Sequence, residues 1–160
     1  GCGRPHPRPA APPAAHGPFT ECAIYPRPVP DSVTIVLTPG PLAPRPLELA
    51  AGTKHAVGAV LVFEGLVRPL EDGKLLTALT YQAYEPMASS TLVAIAHSIV
   101  ADHGLITLHC EHSTGEVAVG ACSLRIVIAS KHRKEGLAAL DEFLDRLKRD
   151  VPIWKRPVWA

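Results

Sequence analysis

The chain has 160 residues, a formal net charge of +1, 47% hydrophobic and 19% charged residues. That length suits one domain with a substantial core. The near-neutral balance argues against a global field that draws the chain to nucleic acid or an anionic membrane. The longest clean apolar run, Ala56 to Phe63, is far short of the roughly 20 residues a membrane helix needs. No charged segment followed by an apolar one opens the sequence as given, and Cys2, Cys22, Cys110 and Cys122 form no CxxC pair. A soluble cytoplasmic protein with reduced thiols is expected.

In chain order, the composition changes near residue 31. Nine of the 17 prolines fall within residues 1–30. Proline removes amide donors and fixes φ, so residues 1–31 are read as a proline-rich, disordered leader and residues 32–160 as the domain. From Val33 the pattern sharpens. "VTIVL" is a β-branched strand ended by "TPGP", and "PLELAA" predicts one or two helical turns opened by Pro46. "HAVGAVLVFEGLVR" is apolar on both faces, which predicts a central strand covered on both sides.

Asp72-Gly73 marks a hairpin ahead of "LLTALTYQAY". A helix is predicted from Pro86, with Leu92, Ile95, Ala96, Ile99 and Val100 on one stripe and Gly104 as its stop. "LITLHCEHS" and "VAVGACSLRIVIAS" are expected as strands around Thr114-Gly115. A last helix is predicted from about Lys131 to Asp150, with Leu137, Leu140, Leu144 and Leu147 inward. Pro152 is expected to end it, and Trp154 to pack and fix the following turn. The fold class is α+β, a mostly antiparallel sheet with helices packed on it.

"HCEH", His109 to His112, has a metal-like look. On a strand, however, positions three apart face opposite sides, so these two histidines cannot share an ion. Cys110 and Cys122 are read as small hydrophobes, possible cross-strand neighbours in the core. What remains is cationic: Arg68 after the apolar strand, Lys131 to Lys134 at the last helix start, and Lys148, Arg149, Lys155 and Arg156 at its end. Cations beside the positive end of a helix macrodipole are unfavourable unless an anion visits, so His132 and Arg133 form a phosphate-site candidate; a solvated basic turn offset by Glu135 is the equal alternative. His132 and Lys148 are separated by roughly 22 Å of helix. If both groups serve one small ligand, a second copy of the chain must supply one of them, and a two-fold dimer makes two shared sites.

"GAVLVFEGLVR", "LTYQAYEPMA" and "SKHRKEGLAALDEFLDRLKRDVPIWKR", in that order, resemble the large, catalytic subunit of molybdopterin synthase. The resemblance runs from about Val33 to Arg156. It implies the α/β-hammerhead-like fold of that family and sulfur transfer to cyclic pyranopterin monophosphate, forming the molybdopterin dithiolene. The sulfur arrives as a thiocarboxylate on the C-terminal Gly-Gly of a small ubiquitin-like subunit, within a heterotetramer built on a homodimer of large subunits. By motif position, Lys148 and Lys155 match the active-site lysines, and Arg68 the strand-end arginine. His132 and Arg133 match the substrate-binding pair supplied across the dimer, and Phe63 and Leu144 match pocket-wall positions.

No metal or redox cofactor is implied, because the partner brings the sulfur already activated. This sequence departs from the pattern in two places. The loop "PLEDGK" lacks the Asn and His residues often found after the arginine, and the family's tail usually runs on past the "WK" motif with a further arginine, whereas this sequence ends at Ala160. The alternative implied by those departures is a weakened or non-catalytic scaffold that still binds the ubiquitin-like partner. A nucleic-acid role for the basic last helix is disfavoured by its interspersed Asp141, Asp145 and Asp150.

Overall fold

The computed structural model describes residues 32–46 and 55–160. The expected leader over residues 1–31 and the helical turns expected after Pro46 lie outside the described residues. The element order is β1 (Val33–Pro39), β2 (Ala59–Leu66), β3 (Leu70–Glu71), β4 (Lys74–Ala83), α1 (Met87–His103), β5 (Thr107–Ala118), β6 (Cys122–Ser130), α2 (Arg133–Asp150) and β7 (Ile153–Trp159). The strands run β2-β6-β5-β4-β3, with β1 beside β5 and β7 beside β4. Only the β1–β5 pair is parallel among the described residues. The α+β, mostly antiparallel expectation therefore holds.

β5 is the hub. Thr107 to His112 pair with β6, and Gly115 to Ala118 pair with β4. The handover coincides with Gly115 at φ +79, a conformation that a side chain disfavours. Thr114-Gly115 is thus a bend within one strand, not the loop expected from the sequence. The hairpin to β6 turns later, where Ala121 N donates to Ala118 O around Gly120. The Asp72-Gly73 signal is a true hairpin, with φ of 50 and 77 at its two central residues, but it joins the two-residue β3 to β4.

Both helices cover one face of the β1, β5, β6, β2 part of the sheet. α1 buries Ala88, Leu92, Ile95, Ala96 and Ile99 at three-to-four spacing and ends at Gly104 in the left-handed region, as its pattern predicts. α2 buries Gly136, Ala139, Phe143 and Leu147. These pack with Leu108, Cys110, Leu124, Ile126 and Ile128 into one core. The buried stripe of α2 is therefore displaced from the leucine series: Leu137 is exposed, and Leu140 and Leu144 are half-buried. A row of leucines read alone overlooked that small residues let the helix approach the sheet. A Cβ on Gly136 would lie 2.5 Å from Leu61 Cδ1 and 2.8 Å from Ser130 Oγ.

Two further expectations are corrected. β2 is not central and not covered on both faces; it pairs only with β6 among the described residues, and Val62 and Leu66 are exposed. Leu61 and Phe63 pack on the core, while no layer of the described residues covers the alternate side chains. Cys110 and Cys122 are both buried and free, but not cross-strand neighbours: Cys110 sits opposite Ile126, and Cys122 opposite Leu66.

The last segment is a strand. Val151 and Ile153, not Trp154, anchor the turn after α2; Val151 is buried and Ile153 packs against the core, whereas Trp154 is 54% exposed. β7 then pairs along β4 from Ala83↔Ile153 to Leu76↔Trp159. Pro157 is tolerated because β7 pairs only with β4 among the described residues, so its other edge needs no amide donor from them.

Candidate functional site

β2 and α2 begin side by side. Gly58 N donates to Ser130 O at 3.0 Å, and His132 caps α2 two residues later in extended conformation. β2 runs antiparallel to β6, and α2 folds back along the same layer. Eighteen helical residues span about 27 Å, close to the length of the eight-residue strand. The layer therefore has two ends with different chemistry.

At the starting end, His132 and Arg133 are exposed at the N-terminus of α2. No side-chain cap is formed there; Ser130 Oγ instead donates to His132 O at 2.8 Å. Glu135 is the one acidic residue in the first turn, so the macrodipole and the adjacent cations make this end attractive to an anion.

At the far end, Arg68 follows β2, and Lys148 lies exposed in the last turn of α2. Lys155 sits directly opposite Tyr81 across the β4–β7 ladder, so the two share a face. Tyr81 OH donates to Ser123 Oγ at 3.0 Å, and Ser123 Oγ donates to Gly65 O at 3.2 Å. That relay ties Lys155's neighbourhood to the end of β2, three residues before Arg68. Glu71 completes the group: Lys155 Nζ donates to its carboxylate in an ion pair. That hydrogen bond holds the Glu71 carboxyl below its ordinary range, against partial desolvation, and the charges of Lys155 and Arg68 add to the effect. Lys155 thus engages the Glu71 carboxylate directly, and Arg68 lies three residues before it in the chain.

Phe63 and Leu144 are half-buried and both pack against the main core. They belong to the β2–α2 layer between the two ends. A single chain accordingly brings Lys155 to Glu71, three residues after Arg68, and it leaves His132 and Arg133 at the opposite end of that layer.

Sequence reasoning missed Glu71, Tyr81 and Ser123. Glu71 had a signal, an acid in the loop where Asn or His is usual; Tyr81 and Ser123 had none, because only the β4–β7 register and the Ser123 contact align them. His112 was judged only as a metal ligand. It is instead buried with its ring edge-on to Tyr81, centroids 5.3 Å apart, and its Nδ1–H donates to Ser113 O at 2.8 Å. Among the described residues no group of three or more His, Cys, Asp or Glu is placed to hold a metal ion. No helix among them is long and apolar enough to cross a membrane.

A mixed, mostly antiparallel sheet with two helices on one face defines an α+β domain. The MoaE protein family model matches residues 38–150. The chain is 38% identical over 150 residues to the molybdopterin synthase catalytic subunit of Coccidioides immitis (strain RS), covering 90% of this chain and 76% of that one. Among solved structures, the molybdopterin synthase of Staphylococcus aureus superposes with a TM-score of 0.62 at 30% identity, covering 79% of this chain and 90% of that one. The complex of subunits 1 and 2 of the molybdopterin-converting factor from Helicobacter pylori 26695 gives 0.60 at 26% identity, covering 79% and 89%. The chain belongs to the MoaE family.

Proposed function

We propose that this chain is the catalytic subunit of a molybdopterin synthase. It transfers sulfur from the C-terminal thiocarboxylate of a small ubiquitin-like subunit to cyclic pyranopterin monophosphate, in a reducing, cytoplasmic setting. The observation that carries this reading is the Lys155–Glu71 ion pair, three residues after Arg68, in a chain of the MoaE family. A site that binds a carboxyl-like tail and a phosphorylated pterin needs cations at that place. Arginine supplies a planar, permanently charged fork for phosphate, and lysine a mobile ammonium with three donors.

The chemistry assigns roles by need. The thiocarboxylate sulfur attacks a pterin carbon, and water then hydrolyses the acyl–sulfur bond, leaving the sulfur on the pterin and a free carboxylate on the partner. Opening the cyclic phosphate requires a proton at the leaving oxygen. Lys155 and Lys148 are the proton-handling groups, and Arg68 binds phosphate. Phe63 and Leu144 form apolar wall between the cations. His132 and Arg133 serve the site of a second copy, because roughly 22 Å of helix separates them from their own chain's Lys148. The exposed apolar side chains Val62 and Leu66 on the outer side of β2, and Leu137 on α2, support burial against further subunits.

The test is reconstitution. The chain is mixed with thiocarboxylated small subunit and cyclic pterin, and the molybdopterin formed is measured. Lys155→Ala and Lys148→Ala are each expected to lower the rate by about 100-fold or more, the usual range for a lost acid–base group, while partner binding is retained. Wild type that binds the partner yet yields no product overturns the reading in favour of a scaffold. Sharing of the site is read by mixing Lys155→Ala with Arg133→Ala chains. Mixed two-fold dimers regain one intact site in two, about a quarter of wild-type activity for random pairing. No recovery places both residues in one chain's site.

A further inference from the structure

We propose that Glu71 is a resident carboxylate in the anion subsite of Lys155 and Arg68, occupying the place an incoming oxyanion takes and setting how tightly that oxyanion must bind. The proposal deepens the functional reading above and rests on Lys155 and Arg68 being the cations that face the anionic ligand.

The placement is specific. Glu71 ends a two-residue strand whose partner is Lys74, and the Asp72-Gly73 turn closes the hairpin immediately behind it. Its side chain is only 23% exposed, whereas that of Lys155, 84 residues away in sequence, is 53% exposed and has ready access to water. An ion pair this open adds little to stability, because water screens it, so folding alone gives weak reason for it. Its effect on ligands is larger. Two cations without Glu71 present a double positive charge; with it they present a single one. The ammonium keeps two N–H donors beyond the one given to Glu71, so an oxyanion competes for Lys155 instead of finding it bare.

The shared ligand chemistry is an oxyanion, either the carboxyl terminus of a partner or a phosphate on a small substrate. The exposed lysine gives a direct readout that needs no turnover: acetylation of Lys155 by an amine reagent, followed by mass spectrometry, with increasing inorganic phosphate. In Glu71→Gln the phosphate concentration for half-protection is expected to fall about fivefold, the scale of one exposed ion pair. Glu71→Asp is expected to stay near wild type, which separates charge from hairpin geometry. The second arm replaces phosphate with a peptide ending in a free Gly-Gly carboxylate, with its C-terminal amide as control. A gain confined to the free carboxylate assigns the subsite to a partner's tail, and a gain confined to phosphate assigns it to the substrate. Unchanged or raised midpoints in Glu71→Gln for both probes, or no protection in any variant, overturn the proposal. If the midpoints shift but reconstituted wild type makes no molybdopterin, the functional reading fails and the role of Glu71 stands.

Discussion

Of the glutamates that meet basic side chains among the described residues, Glu111 and Glu71 differ most, and the difference between them separates structure from function. Glu111 is 2% exposed and is fully engaged. One oxygen accepts from Thr38 Oγ1 at 3.0 Å and faces Arg45 Nη2 at 3.4 Å, while the other faces Arg125 Nη1 at 3.3 Å. Arg125 in turn donates through Nε to Glu64 at 2.8 Å and through Nη2 to Ala43 O at 2.9 Å. This network clamps β1, β2, β5 and β6 on the face away from the helices, and every arm of the guanidinium is used. Glu71 meets Lys155 at an open edge with donors to spare. A buried pair of the first kind has nothing left to offer a ligand; the second kind does.

The largest effect that tests this contrast is Arg125→Met. It leaves the Glu111 carboxylate buried without its guanidinium and is expected to cost about 3–5 kcal/mol, read as a lowered urea midpoint. A loss under about 1 kcal/mol would show that the network is not a clamp. Lys155→Ala should behave oppositely, with stability changed by less than about 1 kcal/mol and synthase activity reduced about 100-fold. If the two variants lose stability equally, the division into structural and functional pairs is wrong.

A smaller effect lies between the two regions, at His112. Burial disfavours its protonated form and pushes its pKa below the ordinary 6.5, with the hydrogen bond to Ser113 opposing in part. Below about pH 6.5 the unfolded chain takes up a proton that the folded chain resists. Stability is therefore complete above that pH and falls as pH drops toward the folded value. Half-buried His109 is shifted the same way, chiefly by desolvation. The slope of unfolding free energy is expected to reach at most about 1.4 kcal/mol per pH unit for each histidine. Denaturation midpoints between pH 5 and 7 check it, and His112→Gln should flatten the curve. A flat wild-type profile would contradict the burial argument.

The smallest effect concerns Cys110, whose thiol burial pushes up to about 12. Iodoacetamide at neutral pH is expected to leave it unmodified in the native protein and to label it only on unfolding, as followed by peptide mass. Native labelling would mean that the core opens locally under Ile126 and Leu108.

How far the sequence reached follows from the range of each signal. The α1 stripe, its Gly104 stop and the Asp72-Gly73 hairpin depend on contacts within a few residues, so local spacing reveals them. The leucines of α2 misled because the approach of Gly136 to Leu61 and Ser130 rotates the buried stripe, and that approach is a property of two distant segments. "AVLVFEGL" is apolar on both faces whether a sheet partner, a helix or another subunit covers it; periodicity registers the need for cover but not its source. The cation residues Arg68, Lys148, Lys155, His132 and Arg133 were legible as motifs. Their grouping was legible only in part, through the rise of one helix.

What the sequence by itself determined is the α+β class, the helices and most strands, the family likeness and the identity of the candidate cations. Tertiary structure alone decided that β2 is an edge strand and that residues 153–159 form a strand along β4. It also decided that Lys155 pairs with Glu71, 84 residues away in the chain. The reason is physical: strand order, register and ion pairing join residues tens of positions apart, and each depends on how whole elements pack rather than on any local preference along the chain.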